Sequence, residues 1–371
     1  MSAVQTSGKA DGRASVPPYR LERLGVVMTP DPDDPREAWG VLNPATARRG
    51  NEIFLFPRLV AEGNFSRIGR ARVTFDEPRV PVGVERLGVA LEPEEAWECH
   101  SGGGGVEDPR ITYLPGPGRW IMTYAAFGPL GPRIGLAASD DLEHWQRLGP
   151  VSFAYDASLA TDLNLYPNKD ALLFPEPVID PSGSPAYAML HRPMWDLSWI
   201  RPGEGEPLPA GLADPRPGIW VSFVPLASVE ADLRALTRFE HHRLVALPER
   251  PWEAVKIGGG TPPIRVDEGW LVVYHGVAGK RARGFEAQTD ARYSAGALVL
   301  DVADVTRVVA RSVEPLLEPE LPEELAGTVN NVVFPTAIEP IDETASPAYD
   351  VYYGMADARI GVARLTRIGP R

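Results

Sequence analysis

The residues best suited to chemistry in this sequence are two adjacent carboxylates and an arginine that follow a run of glycines. Glu107, Asp108 and Arg110 come after Gly102–Gly105 and lead into an apolar, strand-like segment. Pro109 favours an extended backbone at Asp108. A carboxyl group beside an arginine has its charge and orientation set by that partner, which makes it suitable as a controlled acid or base. A surface ion pair at the start of a strand is the alternative interpretation.

Three further carboxylates lie near the ends of apolar segments: Asp170, Glu176 and Asp357. Two acids on opposite sides of a glycosidic bond are sufficient for hydrolysis with inversion or retention. Adjacent residues on a strand point to opposite faces, so Glu107 and Asp108 are not expected to share one face. We expect Asp108 to face the site and Glu107 to anchor a neighbouring loop.

Basic residues gather near the same segments and could together bind phosphate or a sugar carboxylate. They are Arg67, Arg70, Lys169, His191, Arg192, Lys256 and His275. Each could instead neutralise a nearby Asp or Glu. His191 and His275 lie beside aromatic residues in segments with the alternating pattern of a strand. A histidine in such a position is more often a hydrogen-bonded core residue than a catalytic one.

Composition narrows the classes of protein and of partner. The 371 residues are 44% hydrophobic and 23% charged, which is typical of a globular protein, and the formal net charge of −13 disfavours nucleic acid or an anionic membrane as a partner. Cys99 is the only cysteine and the histidines lack a ligand spacing, so no metal site is predicted. No apolar run approaches the roughly 20 residues of a membrane span. We expect a cytoplasmic protein with a small-molecule substrate; a homo-oligomer is compatible with the sequence.

Short apolar runs dominate the chain, and 36 glycines and 39 prolines interrupt them, so an all-β fold is predicted. One phrase recurs in five copies: an Asn or Asp with a proline nearby, an apolar strand, a second, aromatic strand, and then a strand that resembles Ile-Gly-x-Ala. Five such units predict a five-bladed β-propeller. The first strands of the blades should then converge on one funnel through the positions Asn43, Asp108, Asp170, Thr261 and Asn331.

The domain boundaries follow from the same repeats. Residues 1–20 lack the apolar core of a signal peptide and are predicted to be a disordered leader, and residues 21–371 a single catalytic propeller. Residues 201–217, with several prolines, are predicted to form a long surface loop that could overhang the funnel. Residues 280–290 are predicted to be a second surface loop with solvated charges.

Together these motifs resemble glycoside hydrolase family 130, five-bladed propellers that phosphorolyse or hydrolyse β-linked mannosides. The resemblance covers nearly the whole chain after residue 24. It is carried by Asn43-Pro-Ala, Ser66-Arg-Ile-Gly-Arg-Ala, Glu107-Asp-Pro-Arg-Ile, Lys169-Asp-Ala-Leu-Leu-Phe-Pro-Glu, Leu190-His-Arg-Pro, Tyr274-His-Gly-Val, Asn331-Val-Val-Phe-Pro and Tyr353-Gly-Met-Ala-Asp-Ala-Arg-Ile-Gly.

The resemblance implies that Asp108 is the general acid of an inverting phosphorylase. The acid would reach the glycosidic oxygen through a sugar hydroxyl while inorganic phosphate, the co-substrate, attacks the opposite face and yields mannose 1-phosphate; no cofactor is implied. The residues implied to hold the mannosyl ring are Asn43, Asp170, Tyr274 and Asp357, to which we add Arg110 and Phe334. The candidate phosphate ligands are Arg67, Lys169, His191 and Arg192, to which we add His275.

Two departures from the family pattern, Gly102–Gly105 and Gly258-Gly-Gly-Thr, leave hydrolysis open as an alternative to phosphorolysis. A hydrolase needs a carboxylate to activate water, and Glu176 is the candidate base. An arabinanase- or fructosidase-like propeller would need an Asp base where this chain has Asn43, and an amide cannot serve as that base. A non-catalytic sugar-binding propeller is the third alternative.

Overall fold

In a computed structural model, which describes residues 15–76, 79–198, 201–204, 207–281, 288–341 and 347–369, the chain is a succession of antiparallel strands. The strands are, in chain order, β1 (Tyr19–Met28), β2 (Gly40–Arg49), β3 (Glu52–Ala61), β4 (Phe65–Asp76), β5 (Val80–Leu91), β6 (Gly104–Leu114), β7 (Arg119–Gly128), β8 (Gly131–Ser139), β9 (Gln146–Pro150), β10 (Ser152–Phe153), β11 (Asn168–Leu173), β12 (Val178–Ile179), β13 (Pro185–Pro193), β14 (Ile219–Pro225), β15 (Arg238–Ala246), β16 (Lys256–Gly259), β17 (Ile264–Val266), β18 (Gly269–Arg281), β19 (Gln288–Leu300), β20 (Val308–Arg311), β21 (Val333–Pro340), β22 (Ala348–Met355) and β23 (Arg359–Arg367).

Helices are short. The α-helices of the described residues are α1 (Leu226–Ala231) and α2 (Pro322–Leu325), and 3₁₀ turns span Pro35–Glu37, Ala157–Leu159, Leu163–Leu165, Leu233–Thr237 and Pro251–Glu253. Among the described residues, no helix combines the length and the apolar character needed to cross a membrane.

The strands form five blades, which confirms the predicted all-β, five-bladed propeller. From the innermost strand outward, blade 1 is β2–β3–β4–β5, blade 2 is β6–β7–β8–β9, blade 3 is β11–β13–β14–β15, blade 4 is β16–β18–β19–β20 and blade 5 is β21–β22–β23–β1. The outer strand of blade 5 thus comes from the N-terminal end of the fold, and this pairing closes the ring.

The closing strand begins earlier than the predicted domain boundary. Tyr19 of β1 pairs with Arg367, and the amide of Ser15 donates to the carbonyl of Val309 at 3.2 Å. Residues 15–20, which were predicted to belong to the leader, are therefore part of the propeller. The rest of the predicted leader, residues 1–14, lies outside the described residues.

The described residues form five apolar cores between neighbouring blades, one at each junction of the ring. The core between blades 2 and 3 contains the edge-to-face pair Trp195 and Trp220, whose ring centroids are 5.6 Å apart. Because each blade buries one face against each neighbour, its strands are apolar on both faces. This explains the continuous apolar runs in the sequence.

In the described part of the chain, three blades carry the same buried polar group, which we call the Tyr–Glu–Arg latch. In each, a tyrosine of the second strand donates to a glutamate from the preceding loop, and an arginine of the outer strand pairs with the same carboxylate. The latches are Tyr124–Glu98–Arg147 in blade 2, Tyr274–Glu253–Arg311 in blade 4 and Tyr353–Glu324–Arg23 in blade 5. Each glutamate also accepts two backbone N–H groups, so the buried charge is fully hydrogen-bonded.

The long loop at 201–217 lies against blade 3. Its described part is tied down by the Ala210 amide, which donates to the Leu159 carbonyl at 2.7 Å, and Leu208 and Leu212 pack on the core between blades 2 and 3. The second predicted loop, residues 280–290, falls largely outside the described residues. Of its described part, Lys280 is exposed and pairs with Asp290 at 3.7 Å.

Candidate active site

The first three blades have a left-handed residue at the same point of the innermost strand. The φ angles are 43° at Asn43, 46° at Asp108 and 58° at Asp170, and each innermost strand shifts its register there. Asn and Asp tolerate this conformation better than other residues with a side chain, and a bulge re-aims the side chain it carries. The sequence therefore uses Asn and Asp where the strand must turn a polar group towards the axis.

A cavity of about 490 Å³ opens where these strands begin. Its lining residues are Trp39, Leu42, Asn43, Arg58, Val60, Asn64, Glu107, Asp108, Phe127, Lys169, Arg192, Lys256, His275, Tyr293, Thr328, Val329, Val332, Phe334 and Asp357. Thr261 and Asn331 were expected to converge here and do not line it. Thr261 is fully buried, and its hydroxyl accepts from the amide of Val273 at 3.2 Å.

Two carboxylates share one guanidinium in this cavity. Asp108 Oδ1 accepts from Asn43 Nδ2 at 2.8 Å and from Arg58 Nη1 at 3.3 Å, while Arg58 Nη2 donates to Glu107 Oε1 at 2.7 Å. The expectation that Glu107 and Asp108 face opposite ways was wrong. The register shift between Glu107 and Arg110 breaks the strand alternation, so both side chains reach the same cavity.

Asp108 is held as a carboxylate by its neighbours. Burial alone would raise the pKa of Asp108. The positive charges of Arg58, Lys169 and Arg110 outweigh that effect, with help from the Asn43 hydrogen bond, and the pKa of this carboxyl lies below its usual value. Among these protein groups, Asp108 is therefore ionised at neutral pH.

Blades 3 and 4 supply a different kind of surface, which we call the basic wall: Lys169, Arg192, Lys256 and His275. Behind this wall lies Asp170, whose Oδ2 accepts from Arg192 Nε at 2.6 Å and is 3.6 Å from His275 Nε2. Burial opposes the charge of Asp170, but Arg192 and the other cations hold its pKa well below the usual value. Asp170 does not line the cavity; it fixes the orientation of two residues that do.

His275 is a neutral hydrogen-bonding group on the basic wall. Burial lowers the pKa of His275 to about 3, further helped by the charge of Arg192, although Asp170 opposes the shift. Its two ring nitrogens have no hydrogen-bond partner among the described residues, and its ring lies 4.4 Å from that of Phe334. A Cβ on Gly258 would lie 2.5 Å from the His275 ring and 2.2 Å from the Asp170 carboxylate, so glycine is required there.

Arg110 acts beneath the cavity rather than in it. Its Nη1 donates to the backbone carbonyl of Asp108 at 2.6 Å, and its Nε donates to that of Gly260 at 3.0 Å. The guanidinium carbon lies 5.6 Å from the centroid of the Phe334 ring. Arg110 thus clamps the bulge that carries Asp108 to blade 4, and it does not line the cavity where a substrate would be bound.

Tyr274 and His191, both predicted to bind ligand, are interior residues. Tyr274 Oη is engaged in the latch of blade 4, and it faces away from the cavity because its strand neighbour His275 faces towards it. His191 Nε2 bonds Ser222 Oγ at 2.8 Å and its Nδ1 accepts from Asn168. Both predictions were therefore wrong. Strand alternation turns Tyr274 into the interior of blade 4, and hydrogen bonds hold His191 in the interior of blade 3.

Two more predicted residues lie away from the cavity. Arg67 bonds Glu92 at 2.8 Å and is not a lining residue. Glu176 is exposed and lines a second cavity, of about 250 Å³, together with residues such as Thr336 and Glu339 that lie farther along the innermost strands. A base must touch a water beside the sugar, so Glu176 is not placed to assist Asp108.

Arg58, Trp39 and Tyr293 line the cavity and were not singled out from the sequence. Lys256 was grouped with the basic residues but was not assigned to the site. A usable signal existed for Arg58, since it is a charge among the apolar residues in the interior of strand β3, where an unpaired charge would be costly. Trp39 and Tyr293 carried no such signal because aromatic residues occur throughout the blades.

The chain is similar in sequence and in fold to known mannoside phosphorylases. A family model described as β-1,4-mannooligosaccharide phosphorylase matches residues 225–368. A β-1,2-mannobiose phosphorylase and a 1,2-β-oligomannan phosphorylase of a Thermoanaerobacter species are 31% and 30% identical, each covering 93% of this chain and 97% of the relative. The structure of a β-1,2-mannobiose phosphorylase from Listeria innocua with β-1,2-mannobiose superimposes with a TM-score of 0.64 at 22% identity, covering 93% of this chain and 96% of that one.

Proposed function

Because the chain belongs to glycoside hydrolase family 130, we propose that it is a phosphorylase that cleaves β-mannosides with inversion and releases mannose 1-phosphate. One observation carries the proposal. The lining carboxylates Glu107, Asp108 and Asp357 come from blades 2 and 5, on either side of blade 1, and the basic wall comes from blades 3 and 4 across the axis. An enzyme so arranged can protonate a leaving group from one side and bind an anionic nucleophile on the other.

The substrate class comes from the relatives. Those that this chain matches along nearly all of their length are named as phosphorylases of β-1,2-mannobiose and β-1,2-oligomannan. Asn43, Asp357 and Phe334 line the cavity, so they are the residues we assign to the mannosyl ring. Phosphate is the co-substrate in this proposal, and no further cofactor takes part.

The basic wall would bind that phosphate. Lys169, Arg192 and Lys256 offer charge-assisted donors, and neutral His275 offers an N–H without adding charge. In the reaction, the glycosidic C–O bond breaks as a phosphate oxygen bonds to the anomeric carbon on the opposite face. One proton passes to the leaving oxygen, directly or through a sugar hydroxyl.

Asp108 would supply that proton once phosphate is bound. The carboxyl of Asp108 is ionised partly because of the charge of Lys169, so an anion that pairs with Lys169 raises the pKa of Asp108. Phosphate binding and proton uptake by Asp108 are thereby linked. Arg58 and Asn43 keep Oδ1 oriented in both states, since each bonds that oxygen.

Hydrolysis fits the cavity less well. An inverting hydrolase places its carboxylates on opposite sides of the bond, roughly 6.5–9.5 Å apart. The lining carboxylates Glu107, Asp108 and Asp357 all lie close enough to Arg58 to raise its pKa. Among the described residues, blades 3 and 4 contribute no carboxylate to the lining, so a water on that side has no base.

The experiment is an incubation of β-1,2- and β-1,4-mannobiose with and without inorganic phosphate, with the products separated by chromatography. We expect cleavage only with phosphate, and mannose 1-phosphate as a product. Free mannose formed equally in both incubations would identify a hydrolase. Binding of the disaccharide without cleavage in either would identify a non-catalytic sugar-binding propeller.

A further inference from the structure

Two apolar side chains stand at the mouth of the cavity on one side. Trp39 precedes β2 of blade 1 and is 42% exposed, and Val329 precedes β21 of blade 5 and is 38% exposed. Both line the cavity. A large aromatic residue left half open to solvent at the rim of a polar cavity has a free face that an incoming ligand could cover.

The two rim segments are tied to each other and to the blades. Thr328 Oγ1 donates to the carbonyl of Trp39 at 2.7 Å, and the amide of Trp39 donates to the carbonyl of Val60 at 2.9 Å. The amide of Val329 donates to the carbonyl of Ala356 at 3.1 Å. The backbone of Trp39 is therefore fixed at both of its polar groups, which preorganises the position from which the indole projects.

Which part of a bound substrate Trp39 would contact depends on where Trp39 lies relative to the basic wall. In a closed ring of five blades, blade 1 lies across the axis from the junction of blades 3 and 4. Trp39 is thus on the far side of the cavity from Lys256 and His275. Inversion requires the leaving sugar to depart from the face of the anomeric carbon opposite to phosphate, which is the side of Trp39.

We propose that Trp39, with Val329 beside it, is the binding surface for the sugar that leaves, and that this surface determines affinity for the leaving or accepting mannoside without affecting the phosphate side. The inference rests on the proposed function. Pyranose rings have an apolar C–H face that packs on an indole, and the hydroxyl groups at the ring edge remain in water. Because the rim is open, a longer mannoside can extend beyond it into solvent.

The test uses the synthetic direction, in which mannose 1-phosphate is the donor and mannose or β-1,2-mannobiose the acceptor. Trp39→Ala should raise the acceptor KM about tenfold, the equivalent of about 1.4 kcal/mol, with the donor KM changed less than about twofold and kcat at saturating acceptor retained. Trp39→Phe should recover most of the affinity. Tyr155→Ala, at an aromatic residue 66% exposed and outside the lining, is the matched control.

The possible results distinguish a wrong assignment of Trp39 from a wrong assignment of the phosphorylase activity. An unchanged acceptor KM in folded Trp39→Ala, or equal rises in the donor and acceptor KM, would overturn the assignment of Trp39 while leaving the phosphorylase intact. Failure of the wild-type enzyme to make any mannoside from mannose 1-phosphate would overturn the proposed function itself. Thermal unfolding of each variant establishes that the compared proteins are folded.

Discussion

Asp108 owes its orientation to its own bulged backbone and to two neighbouring side chains. The left-handed backbone aims the carboxyl at the cavity, and Asn43 and Arg58 fix its Oδ1. We predict that Asp108→Asn lowers kcat by roughly 10²- to 10⁴-fold, since it removes a proton donor but little volume. Calorimetry should show mannoside binding largely retained.

A surface carboxylate provides the comparison for this variant. Asp140, with 65% of its side chain exposed, can be changed to Asn without touching the cavity. Near wild-type turnover by Asp108→Asn would remove Asp108 from the role of general acid. Loss of turnover in both variants would point to unfolding rather than chemistry.

Lys256 tests the basic wall more cleanly than Arg192, because Arg192 also holds the buried Asp170. A charge-assisted hydrogen bond contributes about 1.5–3 kcal/mol, so Lys256→Met should raise the phosphate KM about 10- to 150-fold. The mannoside KM should change much less. Lys280→Met, at an exposed lysine outside the lining, should change neither; equal rises in both KM values for Lys256→Met would contradict a phosphate site.

For single residues, the sequence predicted which residue types belong to the site better than it predicted where their side chains point. Asn43, Asp108 and Asp170 could be aligned because the repeats place an Asn or Asp at one position. Whether a side chain lines the cavity depends on bulges and on partners far away in sequence. His191 and His275 follow similar patterns, yet one bonds Ser222 in a blade core and the other faces the cavity.

The Tyr–Glu–Arg latch is the recurring element within the blades. In blade 4, Glu253 and Arg311 are buried, with N···O at 2.8 Å. We predict that Glu253→Ala lowers the free energy of unfolding by about 3–5 kcal/mol, because it leaves a buried guanidinium without its carboxylate. Tyr274→Phe should cost about 1 kcal/mol and leave the mannoside KM unchanged. Urea unfolding and steady-state kinetics measure the two effects.

Glu249 is the matched control in the same loop. It lies 3.5 Å from Arg311 but has 58% of its side chain exposed, so Glu249→Ala should change stability by less than about 1 kcal/mol. A large increase in mannoside KM for Tyr274→Phe would contradict the latch assignment and restore this tyrosine to the sugar site.

Blade 3 contains a chain of neutral hydrogen bonds that predicts acid sensitivity. His242 Nε2 donates to the carbonyl of Ala154, Ser222 donates to His242 Nδ1, and His191 Nε2 donates to Ser222. Burial lowers the pKa of both histidines. Stability from this chain is therefore full above the unfolded pKa of about 6.5 and is lost as pH falls below it, by up to about 1.4 kcal/mol per pH unit for each histidine.

The measurement is the free energy of unfolding between pH 7.5 and 5.5 for the wild type, His242→Gln and His100→Gln. We expect a smaller loss on acidification in His242→Gln, because one proton fewer is taken up on unfolding. His100 is exposed, and its variant should follow the wild type. Identical pH dependence in all three proteins would show that His242 is not buried as a neutral base.

The strands were predictable because turn residues separate the apolar runs at regular intervals along the chain. The latches were not, although their glutamates recur in the phrases Glu94-Glu-Ala-Trp-Glu, Glu249-Arg-Pro-Trp-Glu and Glu320-Leu-Pro-Glu-Glu. Their arginines come from strands 49, 58 and 301 residues away along the chain. Only the closed blade brings the three groups together.

The whole molecule is a ring whose two sides differ in charge around one axis. The chain carries a net charge of −13, yet blades 3 and 4 present their cations inward to the cavity. The propeller makes this division possible because each blade contributes its innermost strand to a different sector of the same cavity. Family membership and the five blades were predicted correctly from sequence. Which blades place their charged residues in the cavity could be seen only in the folded ring.

Inverting phosphorolysis can be measured by following β-1,2-mannobiose and inorganic phosphate together by ¹H and ³¹P NMR. Inversion at a β-mannoside predicts the α anomer of mannose 1-phosphate, formed one for one with the loss of mannobiose and of inorganic phosphate. Appearance of the β anomer would contradict inversion, and cleavage to mannose with the phosphate signal unchanged would contradict phosphorolysis.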